Sequence, residues 1–315
     1  MSSPRFGLGP VFTYEWLRVS RRWQLYAFRS LFVGLLLLGL TFTWQIGTEA
    51  RPEGLRIDEL ARLGQTIYST IVIIELTLIL LAAPAATAGA VCVDKARGSL
   101  LQVMATDLSD TEIVLGKLAA ALTPVAGLVF CTLPMLMLAS LLGGIDPILL
   151  LGSFLTTLAT AVLVCALAFT LSVWGKKTHE VLGATYMIVL AWLALIPFVL
   201  AMLMMMSSIG LYRLAWLGDL IQATNPYALL YPEYNGSMAD HLSRVLIYSG
   251  GCLGISTAMA GLCIATIRRV TVNQRGEGGG GGKAERRRWR LPSILPTPSL
   301  DANPVLWREW TRNRP

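Results

Sequence analysis

Six long apolar runs, at 25–44, 67–91, 118–142, 148–174, 181–206 and 245–267, leave this chain of 315 residues few ways to fold. Each reaches or exceeds the roughly 20 residues with which a helix crosses about 30 Å of hydrocarbon. Lipid offers no hydrogen bonds to a bare backbone, so a run of this kind must satisfy its own N–H and C=O groups as a helix. With 54% apolar and 14% charged residues, the chain has far more apolar surface than a soluble domain of its size can hide. The expectation is an all-α polytopic membrane protein with six transmembrane helices.

Orientation follows from the cations, because Lys and Arg near span ends are retained on the cytoplasmic side. Arg5, Arg18, Arg21 and Arg22 precede the first span, Lys95, Arg97 and Lys117 lie between the second and third, Lys176 and Lys177 follow the fourth, and Arg268 and Arg269 close the sixth. With six spans all of these fall on one face. The other face carries Arg51, Arg56 and Arg62, diluted by Glu49, Glu53, Asp58 and Glu59, with Arg213 and Arg244 further on. Both termini are therefore expected in the cytoplasm of a cell bounded by this plasma (inner) membrane. The first apolar run has no small-x-small cleavage site after it, so it is expected to stay as a span.

The segment DKARGSLLQVMATDLSDTEIVLGKL, from Asp94 to Leu118, is a charged connector wedged between two spans. Leu100, Leu101, Val103 and Met104 suit a short helix, and Thr106 and Asp107 break it. Ser109 followed three residues later by Glu112 is a capping box, in which each side chain satisfies a backbone donor orphaned at the start of the next helix. The chain is built to turn sharply there.

At the amino end, GPVFTYEWLRVSRR is amphipathic, with Phe12, Trp16 and Val19 on one side and Glu15, Arg18 and Arg22 around them. A helix of this kind is expected to lie flat at the headgroups, with Arg29 snorkelling back toward the same level. At the carboxyl end NPVLWREWTRNRP repeats the theme through its PV, E-W and trailing arginines, as though a second copy of the motif begins. Between them, Arg286, Arg287, Arg288 and Arg290 follow a glycine run, which reads as a linker with a lipid-binding basic cluster. No folded domain or aromatic platform stands beside that charge, so no nucleic-acid partner is expected. On the outer side, LYRLAWLGDLI suits a short helix with Trp216 and Leu217 toward the membrane, and Tyr227, Tyr231 and Tyr234 suit an interfacial belt. The GGIDP turn is short enough to make the third and fourth spans antiparallel neighbours.

Motifs for catalysis are sparse. His179 sits in the GKKTHE turn and His241 in the outer loop, on opposite faces, and neither HExxH nor GxSxG occurs. GEGGGGGKAE lacks the preceding strand and the hydroxyl after Lys283 that a phosphate-binding loop requires. Cys92, Cys131, Cys165, Cys252 and Cys263 lie in or beside apolar runs without metal-ligand spacing and read as packing residues. Glu75 is the ionisable residue placed well inside hydrocarbon, either as a substrate or proton site or as a carboxyl hydrogen-bonded to a neighbouring helix. Pro84, Pro124, Pro134 and Pro197 remove backbone bonds within spans and allow kinks. The small residues of PAATAGA, from Pro84, admit close helix approach.

An amphipathic amino-terminal helix, six spans, this connector and an outer NPYALL segment together resemble the type-2 ABC exporter permeases, over roughly residues 9–270. The connector carries the resemblance, through Asp94, Lys95, Arg97, Gly98, Ser99, Leu100, Leu101, Thr106, Ser109, Ile113, Val114, Leu115, Gly116 and Lys117. The resemblance implies a permease subunit, of an exporter by the family's default, that docks on separate ABC-type ATPase subunits and pairs with a second copy or a paralogue. On that reading Leu100, Leu101 and Met104 enter a groove on the ATPase, Lys95, Arg97 and Glu112 set register, and Ser109 caps the element. Phe12, Glu15, Trp16, Arg18 and Arg22 form the interfacial helix. The chain itself carries no cofactor, since ATP-Mg belongs to the partner, and it is not itself an enzyme. The expected organisation is an amino-terminal segment (1–24), a permease domain (25–269), a Gly-rich basic linker (270–300) and the start of a repeat (301–315). A membrane-embedded enzyme and a non-transporting scaffold or sensor stand as the alternatives.

Overall fold

The computed structural model describes residues 9–21, 23–49, 56–195, 197–199, 202, 223–230 and 238–280. Among them six helical stretches are long and apolar enough to cross a membrane: Trp23–Thr48, Asp58–Arg97, Asp110–Leu141, Pro147–Trp174, Thr178–Val199 and Ala239–Thr271. No strand occurs among the described residues. The chain thus has the all-helical architecture of a multi-pass membrane protein.

In chain order the helices are α1 (Gly9–Ser20), α2 (Trp23–Glu49), α3 (Ile57–Thr87), α4 (Gly89–Arg97), α5 (Ser99–Met104), α6 (Asp110–Leu141), α7 (Pro147–Trp174), α8 (Thr178–Leu190), α9 (Pro226–Leu229) and α10 (Met238–Gly280). Residues Met1–Thr271 form one compact unit and Val272–Pro315 another. In the second, the backbone of 272–280 is helical, so the linker expected from 270 begins as helix; no described contact explains this. The basic cluster, the terminal repeat, Arg5, Arg22, Trp216, Leu217, Tyr231 and Tyr234 lie outside the described residues.

Helices α3, α6 and α7 pack on one another and build the core, where Ile71, Leu76, Ile79, Val129, Leu136 and Val164 are buried. In the most apolar part of the second span 61% of residues are buried, against 11% in the first, so α2 covers the outside of the group rather than filling it. The GGIDP turn joins α6 to α7 as antiparallel neighbours. Gly144 sits at φ +76°, and a Cβ there would stand 2.7 Å from the Ala61 carbonyl oxygen. Asp146 caps α7 by accepting from the Ile148 N–H at 2.9 Å, and Pro147 opens the helix where its missing donor costs nothing.

Three boundaries differ from the sequence reading. Helix α3 starts ten residues before its apolar run, because Asp58 and Glu59 favour a helix start and Leu63 is buried on the inward face of that extra length. Helix α10 starts before 245, which takes His241 out of the expected loop and buries it against Gly152 of α7. Tyr227, read for the interfacial belt, lies on a short helix that the sequence does not announce: Asn225 caps the four-residue α9, and the Tyr227 hydroxyl shares a 2.9 Å hydrogen bond with the Thr77 hydroxyl of α3. Asn225 has a second task. Pro197 cannot supply the N–H that the Leu193 carbonyl would otherwise receive, the helix passes into a π-helical segment at Ala191–Leu195, and the Asn225 amide donates to that carbonyl at 3.4 Å.

Candidate functional site

Where the second span ends, the chain meets two local instructions. Pro84 and the break at Ala88 interrupt the helix, leaving the Val91 and Cys92 N–H groups to be accepted by the Ser172 hydroxyl of α7 at 3.2 and 3.1 Å. Then α4 stops at Gly98, whose left-handed φ of +73° is open to glycine at little cost. Helix α5 follows in a new direction. The capping box is present as read: the Glu112 N–H donates to Ser109 Oγ at 3.2 Å, and the Ser109 N–H donates to Glu112 Oε2 at 3.0 Å. The polar break of the connector falls between Met104 and that cap.

Beneath the connector lies a small core of its own. Leu100, Val91, Ile113, Val114, Phe169, Val173 and Ile267 are buried together, with Val103, Met104 and Leu108 packed against them. This one cluster therefore joins the connector to α6, α7 and α10.

The centre of the site is a charge cluster joining three segments distant in sequence. Lys117, on the second turn of α6, is only 4% exposed. Its ammonium donates to Glu15 Oε1 of α1 at 2.7 Å and also to Asp94 Oδ2 of α4. Arg18 stands 3.7 Å from Glu15 and 3.9 Å from Asp94, and the Ser99 hydroxyl donates to Asp94 Oδ1 at 3.2 Å. Two carboxylates thus face two cations, so the buried ammonium is both neutralised and hydrogen-bonded, as burial of charge requires. The cluster fixes α1 against the start of α6, with the Phe12 and Trp16 rings stacked at 6.5 Å on the same helix.

Lys95 works inward as well. Its ammonium donates to the Val173 and Gly175 carbonyls at 2.6 and 2.8 Å, closing the carboxyl end of α7 where the helix dipole favours a cation. At the start of α6, Arg268 of α10 pairs with Asp110 at 3.2 Å.

The structure therefore divides the residues named from sequence. Glu15 and Arg18 tie α1 to the connector, Lys95 and Leu100 anchor the connector on the bundle, and Ser109 and Glu112 cap α6, while Arg97 is exposed and Met104 half-buried. The Leu101 side chain and Arg22 are outside the description. Glu75 is elsewhere, buried in the core beside Thr132, with its Oε1 unpartnered among the described residues. Two features escaped sequence reading, the Lys117 cluster and the Ser172 clasp. A signal for the first existed: one acid or base stands near the end of each of three segments that must converge on one face.

Between α1 and the connector runs a cleft of about 570 Å³, whose walls include Val11, Tyr14 and Arg18 on one side and Arg97, Val103 and Thr106 on the other. It mixes apolar and charged surface and is floored by Lys117 and Asp94. At the opposite end of the bundle, His241 meets α7 near its start, while His179 stands on the first turn of α8, beyond the end of α7. The 28 residues of α7 separate the two imidazoles, so no shared metal or catalytic pair is possible between them.

No family model matches the chain, and no curated protein matches it. The class rests on architecture alone: a multi-pass helical membrane protein with a braced connector at one end.

Proposed function

We propose that this chain is the membrane-spanning permease subunit of an ATP-driven transporter of the type-2 exporter class, and that α1 and the connector form its seat for a separate ATPase. The observation that carries the reading is the Glu15–Lys117–Asp94 cluster. It makes one braced body of an amphipathic helix outside the bundle and the elbow between two core spans. A push delivered to such a body passes directly into α3 and α6, because packed elements shift as units rather than deform.

The division of labour within the connector follows from burial. Leu100 and Lys95 are spent inside the chain and position the elbow. Arg97, Met104 and Thr106, with Tyr14 across the cleft, are the residues that meet the partner. The elbow faces the cytoplasm of the plasma membrane, in line with the placement of the cations. A second copy or a paralogous permease completes the pathway against the uncovered apolar faces of the outer spans. ATP-Mg and its hydrolysis belong to the partner, and export is the direction the resemblance implies.

The test is co-purification with a Walker-A and signature-motif ATPase encoded in a neighbouring reading frame. Arg97→Glu combined with Thr106→Asp, both at exposed positions, should abolish the association while leaving membrane insertion and folding intact. Undiminished association removes the connector from the interface. Labelling of a cysteine placed at Gln102 from outside intact cells, rather than only after permeabilisation, would sink the topology and with it the reading.

A further inference from the structure

The side of the bundle next to α1 holds a second, quite different cleft. It has a volume of about 270 Å³ and lies between the first turns of α2 and the neighbouring stretches of α3 and α6. One wall carries Gln24 and Arg29, and the other is nearly all small or apolar, with Ala85, Ala86, Ala121 and Pro124. Arg29 lies six residues into Trp23–Thr48, a stretch long and apolar enough to cross a membrane.

A half-buried guanidinium beside an apolar slot is stabilised by an anion. Arg29 makes no ion pair or hydrogen bond with any described residue, and its buried Nε has no partner among them. Instead of turning fully outward, the side chain lies over Gly127 of α6, where an added Cβ would stand 2.6 Å from Nη2. Glycine at 127 thus makes the room that lets the cation reach across the cleft. No acid lines the space among the described residues. The nearby carboxylates of Glu15 and Asp94 are already engaged with Lys117.

We propose that Arg29, the alanine-lined slot beside it and the gap at Gly127 form a binding site for the phosphate of an anionic phospholipid, drawn from the leaflet on the α1 side. The phosphate receives the guanidinium as a charge-assisted, potentially bidentate donor, and Gln24 adds an amide at the mouth. The slot takes the first part of one acyl chain while the rest of the lipid stays in the bilayer, as its limited volume and lateral opening require. An anionic headgroup fits better than a zwitterionic one, because a zwitterion brings its own cation and no carboxylate lines the cleft to receive it. The bound lipid would sit between α1–α2 and the α3/α6 core.

The experiment uses the full chain, purified in detergent, stripped of lipid and examined by native mass spectrometry and thermal unfolding with added phosphatidylglycerol or phosphatidylcholine. Phosphatidylglycerol should be retained at one per chain and raise the unfolding temperature, and phosphatidylcholine should do neither. Arg29→Gln should weaken phosphatidylglycerol retention by roughly tenfold or more. Ala86→Leu keeps the cation but fills the slot from an exposed position, so it should also lose retention without loss of fold, and it decides the matter should Arg29→Gln not fold. Retention undiminished in Ala86→Leu or in folded Arg29→Gln overturns the proposal. So does equal stabilisation by phosphatidylcholine, or by inorganic phosphate alone, the latter marking a free-ion site.

Discussion

The two ends of the bundle are closed by different chemistry. At the connector end, charged side chains reach between segments: Lys117 to Glu15 and Asp94, Lys95 to the last carbonyls of α7, Arg268 to Asp110. At the far end the backbone itself comes close, with Gly144 against Ala61, the Gln65 amide donating to the Gly144 carbonyl at 2.8 Å, and the Tyr68 hydroxyl donating to the Leu149 carbonyl at 3.1 Å. The far-end contacts all join neighbouring spans. The charged ties also capture α1, a helix that no apolar core surrounds. Long side chains can bridge elements that do not fit flush, and close backbone packing cannot. An elbow that holds a helix lying outside the core needs the former, and an end where neighbouring spans already touch needs only the latter.

Removing the central cation is the strongest way to break the contrast. Lys117→Met leaves Glu15 and Asp94 without their shared partner in a largely buried site, which should cost about 3–5 kcal/mol. The midpoint of chemical unfolding in mixed micelles measures it, and protease nicking between α1 and α2 should rise in parallel. Adding Glu15→Gln and Asp94→Asn to Lys117→Met should recover much of the loss, since the unpaired charges then disappear. An unchanged midpoint for Lys117→Met alone would show that the cluster does not hold this end.

At the far end the matching change is Gly144→Ala. The new Cβ meets the Ala61 carbonyl at 2.7 Å on a backbone of positive φ, for a combined cost of about 2 kcal/mol. Here α1 should stay as protease-resistant as in the parent, because the damage is confined to neighbouring spans. Increased nicking of α1 in this variant would mean that the two ends are not independent.

What could be read from sequence divides along the same line. The six spans were legible because length and apolarity are local properties, and so was the capping box, which needs residues only three apart. The Lys117–Glu15 pair joins positions 102 residues apart, and no periodicity announces it. Leu100 illustrates a subtler failure. In a six-residue helix with apolar side chains at 100, 101, 103 and 104, the pattern does not say which of them faces inward, and α7 and α10 settle it by covering Leu100. His241 reads as a loop residue because its turn of α10 is polar, yet Gly152 opens a place for the imidazole on α7. Glu75 stood out as a lone acid, while its neighbour Thr132, on another span, did not.

The capping box provides a test between these extremes. Ser109→Ala removes an acceptor from the Glu112 N–H at an exposed helix start, so it should cost about 1 kcal/mol. It should also loosen the connector while leaving the Lys117 cluster intact, because Ser109 touches none of its members. Faster amide hydrogen exchange limited to the first turn of α6 is the expected signature. Exchange spreading into α1 would merge cap and cluster into a single cooperative unit.

The smallest effect is expected from the Arg268–Asp110 pair, and it sharpens what charge at the connector end accomplishes. Both ends of the bundle need α10 in place, yet this pair is wet: the Arg268 side chain is 57% exposed, against 4% for Lys117. Water and salt screen an exposed pair and its long side chain resists ordering, so Arg268→Gln should change stability by at most about 1 kcal/mol. The buried contacts of Ile267 and Cys263, one and five residues before it on the same helix, hold α10 against the connector core without it. Repeating the Arg268→Gln and Lys117→Met measurements at high salt separates the two kinds of tie: the small Arg268 effect should vanish, and the Lys117 effect should persist. If both fade together, burial is not what gives the cluster its strength, and the brace joining α1 to the elbow would be no stronger than an ordinary surface ion pair.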